Sequence, residues 1–194
     1  TNIKNLESAN AMFAKVVKEA HKRDIHVLLD LVPGHTSIDH PWFLESKKAD
    51  KNEFTDRYIW TDSIWTEPKP LASIRGISDR DGSCGVNFFS HQPALNYGYY
   101  KPSESWQQGT EDEGPTETLN EMMNVMRFWL KAGADGFRVD MAGSLVKADE
   151  DGKGTIALWQ KVRKFLDKEY AMKIAEYKLQ SSNGYPIDDT SELM

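Results

Sequence analysis

The sequence predicts an α/β fold built on parallel strands. Three observations predict it. A segment with apolar residues at helical spacing leads straight into a nearly all-aliphatic run, the same helix-then-run order returns much later, and a further helical segment follows the second run.

From about Ser8 to Arg23, apolar side chains recur at helical spacing: Met12 and Phe13, Val16 and Val17, then Ala20. The segment closes on His21-Lys22-Arg23, cations that suit the negative end of a helix. After Asp24 comes Ile25-His26-Val27-Leu28-Leu29-Asp30-Leu31-Val32, ended by Pro33-Gly34. So continuous a run lacks the alternation of a half-wet strand and predicts one buried on both faces of a parallel sheet. The second unit opens with Thr118 and Glu121, which fit a capping box, and places Leu119, Met122, Met126, Trp129 and Leu130 on one face up to Gly133. Asp135-Gly136-Phe137-Arg138-Val139-Asp140 reads as the next strand. A third helix is expected from about Thr155 to Tyr170, burying Leu158, Trp159, Val162, Phe165 and Leu166.

Between the two strands lies an insertion, roughly Thr36 to Pro115, that holds more than half of the aromatic residues and most of the Pro, Asp and Ser punctuation. A structureless loop of that length is improbable in a compact domain, so a small irregular subdomain is expected. No internal repeat is visible in it, and its last part, Lys101 to Thr116, reads as a polar surface connection.

The 194 residues include 39% apolar side chains, enough for a packed core. The net charge of −6 and the lack of a basic run exclude the electrostatic footprint of a nucleic-acid or anionic-membrane binder; a neutral partner is expected. One cysteine, Cys84, excludes an internal disulfide framework and gives no zinc-type spacing. Apolar runs such as Val27-Leu28-Leu29 are far too short to span a bilayer. The chain opens on Thr1 rather than Met and is expected to be cut from a longer protein, so the lack of a leader says nothing about secretion.

Chemistry-bearing residues gather at the ends of the two expected strands: Asp30 through His35 after the first, Arg138 and Asp140 at the second. Loops at the carboxyl ends of parallel strands form the reactive face of such folds. Residues two apart on a strand share a face, so Arg138 is placed to keep the Asp140 carboxylate ionised and oriented, as a carboxylate nucleophile requires. A structural salt bridge explains the same spacing equally well. His35 could donate to a sugar hydroxyl, act as a base, or tie its loop to backbone carbonyls. With Asp39 and His40 it also admits a zinc site, although no fourth ligand is evident. Trp42, Trp60, Trp65, Tyr97, Tyr99 and Tyr100 suit stacking on sugar rings, and each suits a hydrophobic core as well.

Asp30-Leu31-Val32-Pro33-Gly34-His35-Thr36-Ser37, followed by His40-Pro41-Trp42-Phe43, resembles the first signature of the α-amylase family of glycoside hydrolases (family 13). Gln92-Pro93-Ala94-Leu95-Asn96 resembles the short signature late in that family's inserted B domain, and Gly136-Phe137-Arg138-Val139-Asp140 resembles the segment that holds its nucleophile. Three signatures in the right order are specific where one alone is not. The resemblance implies a partial (β/α)8 TIM barrel, about strands 3 and 4 with their flanking helices, in residues 1–35 and 116–194, with 36–115 as the inserted B domain. It implies Asp140 as nucleophile, Arg138 as its orienting partner, Asp30 as a support for that arginine, and His35 as a contact to the sugar in the cleaved subsite. The implied reaction is retaining cleavage of an α-linked oligosaccharide or polysaccharide, by hydrolysis or transglycosylation. A non-catalytic accessory protein of the same fold is the alternative.

The departures are informative. Gly34 stands where the family has an Asn that often binds calcium, so neither that site nor any other metal or cofactor is expected. Ala94 replaces an Asp, and Gly143 and Ser144 stand where many endo-acting amylases have Lys-His. The family's general acid is a Glu at the end of the fifth strand; Glu176 is the candidate, although Phe165 to Leu179 can equally continue as one helix. A stabilising Asp beyond the seventh strand has no counterpart in these residues, so the isolated chain is expected to be inactive. Exposed strand edges are expected to favour self-association.

Overall fold

The computed structural model describes residues 5–182, with side chains through Met172. In chain order the elements are α1 (Leu6–His21), β1 (Leu28–Leu31), α2 (Pro41–Ser46), β2 (Ala72–Ile74), β3 (Cys84–Val86), α3 (Glu113–Lys131), β4 (Gly136–Val139) and α4 (Lys153–Ser182). They divide into two compact units. One comprises the described parts of Thr1–Asp30, Met123–Arg138 and Trp159–Met194; the other comprises Leu31–Met122 and Val139–Leu158.

In the first unit α1 begins under an Asn5 cap, whose side chain accepts from the Ser8 N–H at 2.9 Å. It ends in a Schellman turn: Asp24, at φ 57°, sits where glycine is usual, and the Ile25 N–H reaches back to the Ala20 carbonyl at 3.1 Å. The C-terminal end of α3 closes the same way, with Gly133 at φ 111° and the Ala134 N–H on the Trp129 carbonyl at 3.1 Å. Val17 packs against that glycine, and Phe13 meets Trp129 edge to face at 5.2 Å. Arg127 ties the α3 stretch to α4 by a 2.9 Å pair with Glu169 and a stacking contact on Phe165.

The strands β1 and β4 pair with each other, and they run parallel: the Asp135 N–H donates to the Val27 carbonyl at their start, and the Asp140 N–H to the Leu31 carbonyl at their end. Asp135 locks the start. Its carboxylate accepts from the Val27 N–H at 2.6 Å and meets the His21 ring at 2.9 Å. Partial burial opposes its ionisation, but those two donors outweigh it and hold the carboxyl below its ordinary value.

Several expectations are corrected. The aliphatic strand is not buried on both faces: Leu28 is 61% exposed, with Ile25 and Val32 also open, because among the described residues only β4 lies beside β1. The apolar stripe of α1 likewise buries Val17 but leaves Met12 and Val16 half exposed. Thr118 is no cap. The helix starts five residues earlier, with Pro115 in its first turn, and the buried Thr118 hydroxyl donates to the Gly114 carbonyl one turn back. The third helix runs on past Tyr170 to Ser182, so position 176 is helical rather than the end of a strand. The Glu176 side chain lies outside the described side chains.

The second unit has an aromatic core in which Phe43, Tyr58, Trp60, Tyr97 and Tyr99 are almost wholly buried. Phe43 stacks on Trp60 and meets Tyr58 edge to face. The antiparallel pair β2–β3, in register Ala72 to Val86, flanks this core. Gly98, at φ 86°, lets the chain pass within van der Waals contact of the Gly109–Thr110 backbone.

Candidate functional site

Each proposed residue sits at a carboxyl end of the two parallel strands. Within the first unit the structure brings Asp30 and Arg138 together: Nη1 donates to the Asp30 carboxylate at 2.8 Å, with both side chains more than half exposed. An ion pair that open to water contributes little to stability, about 0–1 kcal/mol.

Within the second unit, Asp140 follows β4 directly, its N–H held by the Leu31 carbonyl at 2.8 Å. The next residue, Met141, adopts the left-handed conformation at φ 50° and opens a 3-10 turn over Ala142–Ser144. A left-handed non-glycine residue is strained, and here it turns the chain sharply behind Asp140. Its Cβ-bearing identity made it invisible in the sequence.

His35 lies in a turn fixed on several sides. It bridges antiparallel to Ala94, the Leu95 N–H donates to the Gly34 carbonyl at 3.0 Å, and the buried Tyr97 hydroxyl donates to the Pro33 carbonyl at 2.9 Å. The Asn87 amide reaches both the Gly34 carbonyl and the His35 ring. Burial holds the His35 imidazole below its ordinary value; the Asp140 carboxylate pulls the other way, and His91 adds to the depression. The outcome is a neutral ring beside a carboxylate, suited to donating or accepting one hydrogen bond at neutral pH.

His40, weighed with His35 and Asp39 as a ligand, has a local role. His40 is engaged as the cap of α2, its Nδ1 accepting from the Trp42 N–H at 3.2 Å, and among the described residues no three His, Cys, Asp or Glu side chains gather as ligands. At Gly34, where the family's Asn would stand, a Cβ would fall 2.8 Å from the Asn87 Nδ2, so the Asn87 amide would have to shift to admit a side chain there. Of the aromatic candidates, Trp60, Tyr97 and Tyr99 belong to the core, and Trp42 lies beneath the Arg57 guanidinium. Trp65 and Tyr100 are exposed. Sequence reasoning overlooked Phe88 and Phe89, both more than half exposed, the second stacked on His91. A small cavity of about 30 Å³ near Tyr99 and Trp106 has none of the four candidates in its walls.

Comparison with known proteins gives this geometry a setting. The family model for the α-amylase catalytic domain matches residues 3–185. A trehalose synthase/amylase of Mycobacterium tuberculosis is 32% identical over 190 residues, which cover 91% of this chain and 28% of that protein. An oligo-1,6-glucosidase of Parageobacillus thermoglucosidasius is 34% identical over 142 residues, 70% of this chain and 22% of its own length. Among solved structures, the α-amylase from H. orenii superposes with a TM-score of 0.56 at 29% identity, covering 81% of this chain and 29% of that one. The chain thus spans less than a third of the length of these relatives. It belongs to the α-amylase family of glycoside hydrolases, family 13, and carries part of that family's catalytic (β/α)8 barrel.

Proposed function

We propose that this chain is the nucleophile-bearing part of a retaining enzyme acting on α-linked glucans or oligosaccharides, with β1 and β4 as about the third and fourth strands of the barrel and residues 36–115 as its inserted B domain. One observation carries the reading: Asp140 stands at the carboxyl end of β4, with the neutral His35 ring within range of its charge. A carboxylate oxygen of Asp140 attacks the anomeric carbon as the bond to the leaving oxygen breaks, and that oxygen takes a proton from a separate acid. Water or a second sugar then attacks the glycosyl ester, gives its proton back to that acid, and releases Asp140. Arg138, paired with Asp30, supplies fixed positive charge two residues before the nucleophile. His35 donates a hydrogen bond to a sugar hydroxyl. No metal and no cofactor enters the scheme.

Hydrolysis and transfer share every one of these steps up to the acceptor, and the likeness to a trehalose synthase/amylase keeps sugar acceptors in view. Treating the full-length protein with a fluorinated α-glucosyl donor should leave one covalent label on the peptide containing Asp140, and none in Asp140→Asn. A label on another carboxylate, or full turnover by Asp140→Asn, overturns the assignment. The isolated 194-residue chain should show no turnover of maltooligosaccharides, since no acid or second aspartate is assigned within it; measurable turnover would refute that.

A further inference from the structure

Asn87 follows β3, and its side chain faces the turn that carries His35. The amide Nδ2 lies 2.8 Å from the Gly34 carbonyl oxygen and 3.3 Å from His35 Nδ1. A carbonyl oxygen can only accept, so the group facing Gly34 must be the NH2 rather than the amide oxygen. That choice settles the second contact too. The remaining hydrogen of the NH2 serves His35 Nδ1, and an Nδ1 that accepts carries no proton. The neutral ring is then the tautomer with its proton on Nε2.

We propose that Asn87 is a positioning residue for His35: oriented by the Gly34 carbonyl, its amide fixes the ring as the Nε2–H tautomer, so that the imidazole presents a donor to the substrate. The inference rests on the reading of His35 as a sugar contact. The glycine at residue 34 leaves the amide its place; a Cβ there would come 2.8 Å from Nδ2 and the amide would have to shift. The amide is therefore supplied from 53 residues along the chain, and its main-chain N–H is itself held by the Gln92 carbonyl at 3.2 Å. Protonating His35 at Nδ1 would set two N–H donors against each other, which agrees with the ring remaining neutral. The groups whose charge acts on that ring are the Asp140 carboxylate and His91.

The test is histidine 15N NMR on the full-length protein, whose ring shifts distinguish the protonated from the bare nitrogen, alongside kcat/KM. Wild type should show His35 protonated on Nε2. In Asn87→Asp the carboxylate accepts from Nδ1–H, so the tautomer should reverse, the His35 titration should move to higher pH, and kcat/KM should fall about tenfold. Asn87→Ala, which holds neither form, should give a mixture. A wild-type ring protonated on Nδ1, or an Asn87→Asp protein with unchanged tautomer and titration, overturns the proposal, and the wild-type spectrum decides even if a variant misfolds. His35→Ala separates the two readings. Activity lost in His35→Ala but kept in an Asn87→Asp protein with reversed tautomer overturns the role of Asn87 alone, whereas activity kept in both removes His35 from the reaction and this inference with it.

Discussion

Removing the Asp135 carboxylate should weaken the seam between β1 and β4 by a calculable amount. The carboxylate accepts from the Val27 N–H at 2.6 Å and from His21 Nε2 at 2.9 Å, with only 15% of its side chain exposed. Asp135→Ala deletes two charge-assisted bonds and leaves a part-buried N–H without an acceptor, a loss of about 2–3 kcal/mol. Asp135→Asn keeps the shape and one acceptor oxygen, so about 1–2 kcal/mol is expected. For a chain of this size the alanine variant should lower Tm by roughly 4–12 °C. The pH dependence has a definite sign. Because the folded-state carboxyl is held below its ordinary value, its stabilisation is present above the ordinary carboxylate range and disappears as pH falls through the folded value. Urea unfolding followed by circular dichroism should therefore show the full gap between wild type and Asp135→Ala at about pH 7 and a smaller one at about pH 3. A gap below about 0.5 kcal/mol at neutral pH, or one equally large at both, refutes the reasoning.

Two further outcomes are expected. Arg138→Met keeps the aliphatic stem but ends the exposed pair with Asp30, so stability should change by no more than about 1 kcal/mol while kcat/KM of the full-length protein falls about 100-fold or more. The reverse pattern, lost stability with retained activity, would identify a structural bridge. Gly98→Ala puts a Cβ within 2.7 Å of the Thr110 Cα at a positive φ, where backbone cannot yield, and should cost about 2–4 kcal/mol in chemical denaturation. A loss under about 1 kcal/mol would contradict the packing described.

The elements that sequence revealed are those whose pattern is local. Helical spacing located α1, α3 and α4, and Gly133 marked the end of α3 because a left-handed C-terminal turn strongly favours glycine. Asp24 makes the same turn in α1, yet an aspartate there carries no such mark. The Thr118–Glu121 pair has capping-box spacing, but a threonine hydroxyl can equally bond back to the carbonyl of the preceding turn. An aliphatic run such as Ile25–Val32 reports the kind of surroundings a strand suits, while exposure depends on which neighbours lie beside it. Asp30, His35, Arg138 and Asp140 were legible as motif members, and the Asp30–Arg138 pair was implied by the family resemblance rather than by spacing. Asn87 was not: its place is defined by the side chain that Gly34 lacks, a three-dimensional relation across 53 residues. The burial of Ala94 is of the same kind. It is fully enclosed opposite His35, where an aspartate would have to give up its hydration.

The bolted turn from Pro33 to His35 has a thermodynamic consequence. With Tyr97 holding the Pro33 carbonyl and the Leu95 N–H holding that of Gly34, the turn is ordered by bonds made within the fold rather than by a ligand. The ordering cost of that loop is met during folding, so on the proposed reading of His35 as a sugar contact, Tyr97→Phe, which removes the bond to the Pro33 carbonyl, should weaken oligosaccharide binding by the full-length protein in calorimetry.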